Sequence, residues 1–402
     1  MKILWLSSGF LHPTTRGGQI RTLETLRRLR DRHEIHYLAL HDGQAEALAR
    51  SSEYCSKAWP VPFVLASRES LRFWMQTVRA LFSPLPVVVA RKRSPAVRHT
   101  IEKLLREERF DVVVCDFLTP VVNLPPAQPF VLFEHNAETL IWRRYGERAT
   151  DPVRRAFFRS QAARLLAFER AACRRATHVI AVSEADAALL CELSGISNVS
   201  AVPTGVDAGH FARPSDPSGT TASDLLFAGS MDWLPNIDGV LWFTREVLPL
   251  IRRLLPQCSL TIAGRRPAAS IRALAAADFL IRVTGTVDDM RPYLWSSGVS
   301  IVPLRIGSGT RLKIYESMAA KIPVVSTTTG AEGLSVCSPE NIRIADTPGA
   351  FAGACLELLQ SPRERDLQTT AALRLVKEKF SWETVADRFE EILLKNRSAG
   401  HL

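Results

Sequence analysis

Short apolar stretches of strand length alternate along the chain with segments of helical spacing. The first half contains ILWLS (3–7), EIHYLAL (34–40), DVVVCD (111–116), FVLFE (130–134) and THVIAVS (177–183). The second half contains DLLFAG (224–229), SLTIAG (259–264), IRVTG (281–285), VSIVP (299–303) and IPVVS (322–326). Nearly continuous apolar strands separated by helices are typical of parallel sheets that are covered on both faces. The pattern therefore predicts an α/β fold.

Helical spacing is clearest in five of the intervening segments. They are 20–32, 97–108, a long basic stretch at 151–176, and two closing segments at 364–380 and 381–396. In the last segment four apolar residues share one face, namely Trp382, Val385, Phe389 and Ile392. We expect that face to dock on a domain core.

One run interrupts the alternation and predicts a domain boundary. Residues 208–223, AGHFARPSDPSGTTAS, gather Gly, Pro, Ser and Thr without periodicity. A chain of 402 residues is also too long for one ordinary core. We predict two Rossmann-like domains, 1–208 joined by the terminal helix at 381–402, and 209–380. Ligands are expected at the carboxyl ends of the parallel strands, in a cleft between the domains.

The positive charge of the chain is concentrated in its first half. Residues 1–215 carry 30 Lys and Arg against 21 Asp and Glu, a net charge of +9, which leaves +1 of the total +10 for the remainder. This asymmetry indicates an anionic partner for the first half, either a phosphorylated substrate or an anionic membrane surface. Arginine-rich helix faces that are merely solvated are the alternative.

Targeting signals and membrane spans are not evident in the sequence. No apolar run approaches the roughly 18 to 20 residues that cross a bilayer, and the opening ILWLSS fits a first strand better than a signal peptide. The seven cysteines are scattered and never spaced as C-x-x-C, as in a reducing compartment. We expect a cytoplasmic protein with peripheral contact at the inner face of the membrane.

Motifs for common cofactors are missing. The sequence has no G-x-x-x-x-G-K-[ST], and the turn after the first strand, SSGFLHPTTRGG, is not G-x-G-x-x-G. It has no D-x-D and no His/Cys cluster with metal-ligand spacing. We therefore expect neither a cofactor nor a metal. Helix N-termini and cationic side chains would offset the charge of a bound diphosphate.

The stretch PLRIGSGTRLKIYESMAAKIPVVS at 303–326 has the composition of an anion site. A loop of Gly307, Ser308 and Gly309 precedes a helix that Thr310 can cap. Backbone N–H groups from Gly309 to Arg311 then lie at the positive end of the helix, where a diphosphate binds favourably.

Two charged side chains follow on that helix. Lys313 can add its charge to the same phosphate oxygens. Glu316 lies one turn further on the same face, where it can accept hydrogen bonds from two vicinal ribose hydroxyls. The alternative is a surface ion pair worth a few tenths of a kcal/mol.

These motifs together resemble the GT-B glycosyltransferases of family 4, or group 1. The resemblance spans nearly the whole chain and is carried by RGGQIRT (16–22), EHNAE (134–138), VSE (182–184), VPTGVD (202–207), FAGSMDWLPN (227–236) and PLRIGSGTRLKIYESMAAKIPVVST (303–327). It implies two Rossmann-like domains and metal-independent, retaining hexosyl transfer. The donor would be a nucleotide-diphospho-sugar, and the acceptor a saccharide or lipid-linked glycan in bacterial exopolysaccharide or cell-surface synthesis.

The resemblance assigns donor-binding roles to matching residues. Glu316 corresponds to the second glutamate of the family's E-x7-E pattern, which binds the donor ribose. Ser308 takes the place of the first glutamate, so that contact must come from Ser308 or the backbone. Gly17 and Gly18 would form the loop that faces the donor phosphates, where a side chain would block close approach.

The cationic pair that the family usually carries after the first strand of its second domain is replaced here. Asp232 and Asn236 stand in that segment instead. The resemblance therefore implies that Arg311 and Lys313 take over the diphosphate.

In the first domain the resemblance places His135 beside the transferred sugar. His135 follows the FVLFE strand at its carboxyl end, where open sheets hold ligands. Its side chain or backbone would contact a hydroxyl near the reacting carbon, which makes His135 the catalytic candidate. Glu134 and Glu138 are candidates for binding acceptor or sugar hydroxyls; the alternative is that both are charges at a helix start. Arg21 is a further candidate on the acceptor side.

Two other functions remain open at this point. A nucleotide-sugar 2-epimerase on the same scaffold would turn over the donor without an acceptor. A non-catalytic module that binds anions or nucleic acid would explain the +10 charge. We expect no nucleic-acid partner, because no basic stretch is interleaved with aromatic residues.

Overall fold

The computed structural model describes residues 1–14, 17–63, 75, 78, 82–214, 223–306 and 312–397. The chain divides into two compact units. Unit 1 comprises Met1–Pro203 and Glu383–Leu402, and unit 2 comprises Thr204–Trp382. Each unit is built around its own parallel sheet.

Unit 1 contains a seven-stranded sheet in which all neighbouring strands pair in parallel, in the order β3-β2-β1-β4-β5-β6-β7. The strands are β1 (Lys2–Ser7), β2 (Glu34–His41), β3 (Lys57–Pro62), β4 (Val112–Asp116), β5 (Val131–Phe133), β6 (His178–Ala181) and β7 (Val199–Ala201). The five predicted strands are confirmed. Strands β3 and β7 were not predicted, because β3 contains two prolines, which only an edge strand tolerates, and β7 is three residues long.

Helices flank the unit 1 sheet. They are α1 (Gly17–Arg30), α2 (Ala45–Ala49), α3 (Val87–Ala90), α4 (Pro95–Glu107), α5 (Glu138–Arg148), α6 (Pro152–Arg175) and α7 (Glu184–Ser194), with 3-10 turns at Arg50–Glu53 and Thr119–Asn123. The predicted long basic helix is α6. It begins where it does because the side chain of Asp151 accepts a hydrogen bond from the backbone N–H of Arg154, and Pro152 fits the first helical position.

Unit 2 contains a six-stranded parallel sheet in the order β10-β9-β8-β11-β12-β13. The strands are β8 (Ser223–Ala228), β9 (Leu260–Ala263), β10 (Ile281–Gly285), β11 (Ser297–Val302), β12 (Val324–Ser326) and β13 (Arg343–Ile344). In both units the winding reverses beside the first strand, between β1 and β4 in unit 1 and between β8 and β11 in unit 2. Such switch points open a crevice at the carboxyl ends of the strands.

The helices from Ala208 onward complete the fold. They are α8 (Ala208–Phe211), α9 (Leu234–Trp242), α10 (Leu248–Arg252), α11 (Ala269–Ala277), α12 (Arg291–Trp295), α13 (Leu312–Ala319), α14 (Thr328–Ala331), α15 (Pro348–Gln360), α16 (Pro362–Lys379) and α17 (Trp382–Lys395), with a π-helical turn at Phe243–Val247. The short α8 lies in the stretch predicted as a linker, because Asp207 caps it by accepting a hydrogen bond from the N–H of His210.

The apolar face predicted for the terminal helix is buried. Trp382, Val385, Phe389 and Ile392 are each at most 8% exposed. The ring of Phe389 packs against Trp5 of β1 at 5.7 Å and against Phe133 of β5 at 4.9 Å between centroids. Among the described helices, none has both the length and the apolar character that crossing a bilayer requires.

Candidate functional site

Helix α13 presents two charged side chains on one face. All its residues are described, and all are buried except Lys313 and Glu316. Ile314, Tyr315 and Met318 lie in the core of unit 2, which fixes the rotation of the helix. Residues three apart share a helical face, so Lys313 and Glu316 emerge on the same side.

The ammonium group of Lys313 is held over the carboxyl end of β8. It donates to Asn236 Oδ1 at 3.2 Å and lies 4.2 Å from the centroid of the Phe227 ring, a favourable cation–π distance. Asn236 in turn donates from Nδ2 to the carbonyl oxygen of Ser230 at 2.8 Å. Lys313 is therefore tied to the turn that follows β8.

Two glycines allow close backbone packing at the carboxyl ends of β8 and β9. The N–H of Gly229, after β8, donates to Ala263 O at 2.9 Å. A Cβ on Gly264, after β9, would lie only 1.7 Å from the carbonyl oxygen of Gly229. A Cβ on Gly229 would lie 2.8 Å from both Asn236 Nδ2 and Lys313 Nζ. Polar atoms thus crowd the switch point of unit 2: no side chain fits at Gly264, and a side chain at Gly229 would displace Asn236 and Lys313.

A second cation, Arg265, lies at the same edge. Its Nε donates to Ser230 Oγ at 2.9 Å, and one terminal nitrogen lies 3.4 Å from an oxygen of Asp232. Asp232 is therefore the ion-pair partner of Arg265. The family usually has a cation at the position of Asp232. Sequence reasoning missed Arg265. The signal was available, since two arginines directly follow the SLTIAG strand.

The carboxyl group of Glu316 is partly exposed and has unused acceptor capacity. Within the described ranges, no donor makes a hydrogen bond to its side-chain oxygens. Burial raises the pKa of Glu316 to about 7, and the positive charge of Lys313 acts in the opposite direction. Glu316 can therefore accept hydrogen bonds from a ligand that supplies donors.

Five of the predicted donor-binding residues precede α13. The predicted donor contacts Gly307, Ser308, Gly309, Thr310 and Arg311 lie outside the described residues. Their roles stay predictions.

In unit 1, His135 lies at the switch point with both ring nitrogens engaged. The ring is 2% exposed, its Nε2 lies 2.7 Å from Asp116 Oδ1, and its Nδ1 lies 3.2 Å from a terminal nitrogen of Arg21. A guanidinium group only donates, so Nδ1 accepts and Nε2 carries the proton that is donated to Asp116. Burial lowers the pKa of His135 in spite of Asp116, which acts in the opposite direction. His135 is therefore neutral at pH 7.

Asp116 is the centre of this buried network. It ends β4, is fully buried, and also accepts hydrogen bonds from Ser7 Oγ at 3.1 Å and from Thr22 Oγ1 at 3.0 Å. The sequence-based site included Arg21 and His135 but not Asp116. Its position at the carboxyl end of the DVVVCD strand was the available signal.

Phe117 explains one of the predicted glycines. Its ring stacks on His135 with centroids 3.8 Å apart, and its φ of +71° is unusual for a bulky residue. A Cβ on Gly18 would come 2.4 Å from Cζ of Phe117, so α1 can pass the ring only with glycine there. Gly17 is exposed at the start of α1. Contact of either glycine with phosphates stays a prediction.

The carboxylates near β5 differ in accessibility. Glu134 is 1% exposed, and among the described residues no donor reaches either of its oxygens. Burial, followed by the charges of Glu169 and Glu138, raises its pKa well above the ordinary value. Glu138 is partly exposed, and burial raises its pKa as well. Of the two glutamates predicted to bind hydroxyls, only Glu138 is open to a ligand in this structure.

Two family descriptions match the chain. "Glycosyltransferase Family 4" covers residues 15–210, and "Glycosyl transferases group 1" covers residues 222–361. The chain belongs to the family 4, or group 1, glycosyltransferases. The resemblance read from the sequence motifs is confirmed.

Relatives of this glycosyltransferase include an "Uncharacterized 44.6 kDa protein in cps region" of Klebsiella pneumoniae, 27% identical over 136 residues. That match covers 32% of this chain and about a third, 35%, of the relative's length. Sucrose-phosphate synthase from Thermosynechococcus elongatus has a similar structure, with a TM-score of 0.72 and 15% identity, covering 98% of this chain and 99% of that one. Anabaena Alr3699/HepE, solved with UDP-glucose, gives a TM-score of 0.68 and 15% identity, with 98% and 100% covered. These similarities confirm the GT-B type of fold, two Rossmann-like domains with parallel sheets.

One cluster of metal-ligand type lies away from both switch points of the glycosyltransferase. Potential ligand atoms of Glu34, His36 and Glu108 lie within 4.8 Å of one another. Lys2 Nζ lies 3.5 Å from Glu34, and Lys57 Nζ lies 3.6 Å from Glu108. Two lysines therefore already neutralise these carboxylates, and the cluster is an ion-pair network that joins strand starts.

Proposed function

We propose that this glycosyltransferase moves a hexosyl group, with retention of configuration, from a nucleotide-diphospho-sugar to a saccharide or lipid-linked acceptor. The process would be exopolysaccharide or other cell-surface glycan synthesis, in keeping with the cps region named for the Klebsiella relative. We place the enzyme in the cytoplasm, in peripheral contact with the inner face of the membrane.

The observation that carries the proposal is the set of charges at the switch point of unit 2. Lys313 and Arg265 are both tied to the turn after β8, through Asn236 and Ser230 respectively. Two cations at the carboxyl end of one sheet can form charge-assisted hydrogen bonds with a diphosphate. Glu316, on the same face as Lys313 and free to accept, suits a pair of vicinal ribose hydroxyls. A nucleotide diphosphate provides both groups in one molecule.

The likeness to Anabaena Alr3699/HepE supports the choice of donor to test first. That protein was solved with UDP-glucose, and its fold superposes on this chain with a TM-score of 0.68. UDP-sugars are therefore the leading donor class for this chain.

The proposed chemistry needs no protein nucleophile. The bond from the sugar C1 to the diphosphate oxygen breaks, and the electron pair leaves with the diphosphate. The acceptor oxygen bonds to C1 from the same face, and its proton passes to a diphosphate oxygen. Lys313 and Arg265 would stabilise the charge on the leaving group. We therefore expect transfer to persist in EDTA.

In unit 1 the neutral His135 would act as a positioning residue. Both ring nitrogens are already engaged, so the ring holds the turn after β5 in place through Asp116 and Arg21. Contact with the sugar would then come from the backbone at 135. The partly exposed Glu138 is the acceptor-side candidate.

A thermal-shift panel of UDP-, GDP- and ADP-sugars, followed by product analysis, tests the proposal. A donor at 100 times its Kd should stabilise the fold by about 2.7 kcal/mol. With that donor and a glycan acceptor mixture, we expect a glycoside with the donor's anomeric configuration. An inverted glycoside would contradict retention, and a 2-epimer formed without acceptor would assign an epimerase. If no nucleotide sugar shifts the melting temperature, an anion-binding module is the remaining candidate function.

A further inference from the structure

A concentrated patch of positive charge lies at the end of the α5–α6 hairpin. Residues 141–160, called here the hairpin tip, contain six arginines against two acidic residues, a net charge of +4 in 20 residues. The arginines are Arg143, Arg144, Arg148, Arg154, Arg155 and Arg159, and all except the partly exposed Arg144 are exposed. Nearly half of the excess charge of the first half of the chain therefore lies on this one tip.

The arginines of the tip differ from three arginines on and after α1. On and after α1, Arg27, Arg28 and Arg32 form ion pairs with Glu53, Glu383 and Asp387 respectively. At the tip, and judged over the described part of the chain, five arginines form no ion pair with a carboxylate: Arg143, Arg148, Arg154, Arg155 and Arg159. Asp151, one of the two acids, is occupied in capping α6. The charge of the tip is therefore available to an external anion.

Exposed apolar groups lie beside this charge. Val153, in the first turn of α6, is 78% exposed. Arg164 lies on the same side of α6 as Val153, about 16 Å further along the helix axis. Eleven residues separate the two, which is close to three full helical turns. Its guanidinium donates to the carbonyl oxygen of Ser83 at 2.9 Å, next to Phe82, which is 86% exposed. Val153 and Phe82 thus lie along one side of α6.

A groove separates the two helices of the hairpin. The groove has a volume of about 320 Å³, and the apolar side chains of Ala162, Ala163 and Leu166 of α6 line it. Arg143 and Glu147 of α5 and Arg159 of α6 line it as well. Two guanidinium groups beside apolar side chains match a phosphate headgroup attached to an apolar chain.

We propose that the hairpin tip docks on an anionic lipid surface. Arginines that have no carboxylate partner in the described part of the chain supply the electrostatic attraction, and Val153 and Phe82 supply apolar groups that can enter the interface. Nucleic acid fits less well, because it stacks on accessible aromatic faces, whereas the aromatic rings of the hairpin tip itself pack on one another. Tyr145 and Phe157 both contact Phe158, at 5.4 and 5.6 Å between centroids.

This inference deepens the proposed function, and it rests on that function for the view that the acceptor is carried by a lipid. The test is co-sedimentation of the full chain with phosphatidylglycerol/phosphatidylcholine vesicles and with pure phosphatidylcholine vesicles. We expect salt-sensitive binding to the anionic vesicles only. The double variant R154E/R155E should lose at least about tenfold in partitioning, and V153D roughly threefold.

The double variant K377E/K379E is the matched control, because it makes the same charge change at two exposed lysines of α16. It should bind vesicles like the wild type. Wild-type protein that stays in the supernatant, or R154E/R155E that sediments unchanged, would overturn the proposal. So would binding of a single-stranded oligonucleotide that is tighter than vesicle binding at the same salt concentration and is lost in R154E/R155E. Thermal shifts with the donor, measured on the same variants, separate lipid docking from the proposed transferase function. If a variant loses vesicle binding but keeps its thermal shift, the substitution has affected lipid docking and not donor binding.

Discussion

His135 Nε2 lies 2.7 Å from Asp116 Oδ1, at the carboxyl ends of neighbouring strands in unit 1. The contact fixes the tautomer of the ring, because Arg21 faces the other nitrogen and can only donate. Both partners are buried. The relationship therefore makes His135 a neutral, oriented group rather than a mobile acid or base.

Removing the acceptor at the centre of this network should destabilise unit 1. Asp116→Ala leaves His135, Ser7 and Thr22 without their shared partner, at a cost of about 1 to 3 kcal/mol for each buried donor that stays unpaired. We expect the free energy of unfolding to fall by about 3 kcal/mol or more in urea titrations. Asp116→Asn, which keeps an acceptor oxygen, should lose less. Equal stability of the alanine variant and the wild type would show that the network contributes nothing.

Gly18 tests the packing of α1 on Phe117. The methyl group of Gly18→Ala would start 2.4 Å from the Phe117 ring, which is held by stacking on His135. We expect a loss of roughly 1 to 3 kcal/mol in thermal or urea unfolding. Gly353→Ala is the control, because nothing lies within 4 Å of the added group and alanine favours the helix by up to about 1 kcal/mol. A stable Gly18→Ala variant would mean that the ring moves freely.

Glu169 should make the stability of the protein fall as pH rises. The carboxyl group is fully buried and accepts a hydrogen bond from the N–H of Glu138, and burial raises its pKa from 4.5 to about 7. A raised pKa means that the folded state binds the proton more tightly, so the stabilisation is complete below about pH 4.5 and is lost as pH rises through about 7. The loss should be on the order of 3 kcal/mol.

Glu169→Gln keeps the acceptor oxygen and cannot titrate, so its unfolding free energy should depend less on pH between 4.5 and 7. The exposed Glu192→Gln on α7 is the control and should follow the wild type. The interpretation of Glu169 as a buried, protonated group would be lost if both variants gave the wild-type profile.

Much of the fold could be predicted from the sequence, because buried parallel strands are read as uniform apolar runs. All ten predicted strands are present. The strands that were missed, β3, β7 and β13, are edge or very short strands with two to six residues. Such strands form because a neighbour offers hydrogen bonds, and their own sequences carry little signal.

The candidate site was less predictable, because it depends on which strand ends become neighbours. Lys313 and Glu316 could be found from their spacing on one helix. For Asp116 and Arg265 the sequence shows only a position at the end of a strand, and not the partners, His135 and Ser230, which lie 19 and 35 positions away. Only the strand order brings these pairs together.

Donor binding should strengthen as pH rises through about 7. At the proposed donor site the ionised form of Glu316 would accept two hydrogen bonds from ribose hydroxyls, and burial raises the pKa of Glu316 to about 7. Below that pH the donor must displace a proton, so the affinity should fall by up to about tenfold per pH unit. Calorimetric titration of the preferred nucleotide sugar between pH 5 and 8 measures this dependence. Glu316→Gln should give a weaker and nearly flat profile; a wild-type profile that is equally flat would contradict the assignment.

The most direct measurement is the Kd of the preferred nucleotide sugar for three proteins at pH 8: the wild type, Glu316→Ala and Glu378→Ala. Glu378 is an exposed glutamate of α16 in the same unit and serves as the matched control. We predict that Glu316→Ala weakens binding at least about tenfold, since hydrogen bonds to a charged group contribute about 1.5 to 3 kcal/mol, and that Glu378→Ala binds like the wild type. An unchanged Kd for Glu316→Ala would contradict the placement of the donor at the α13 face of unit 2.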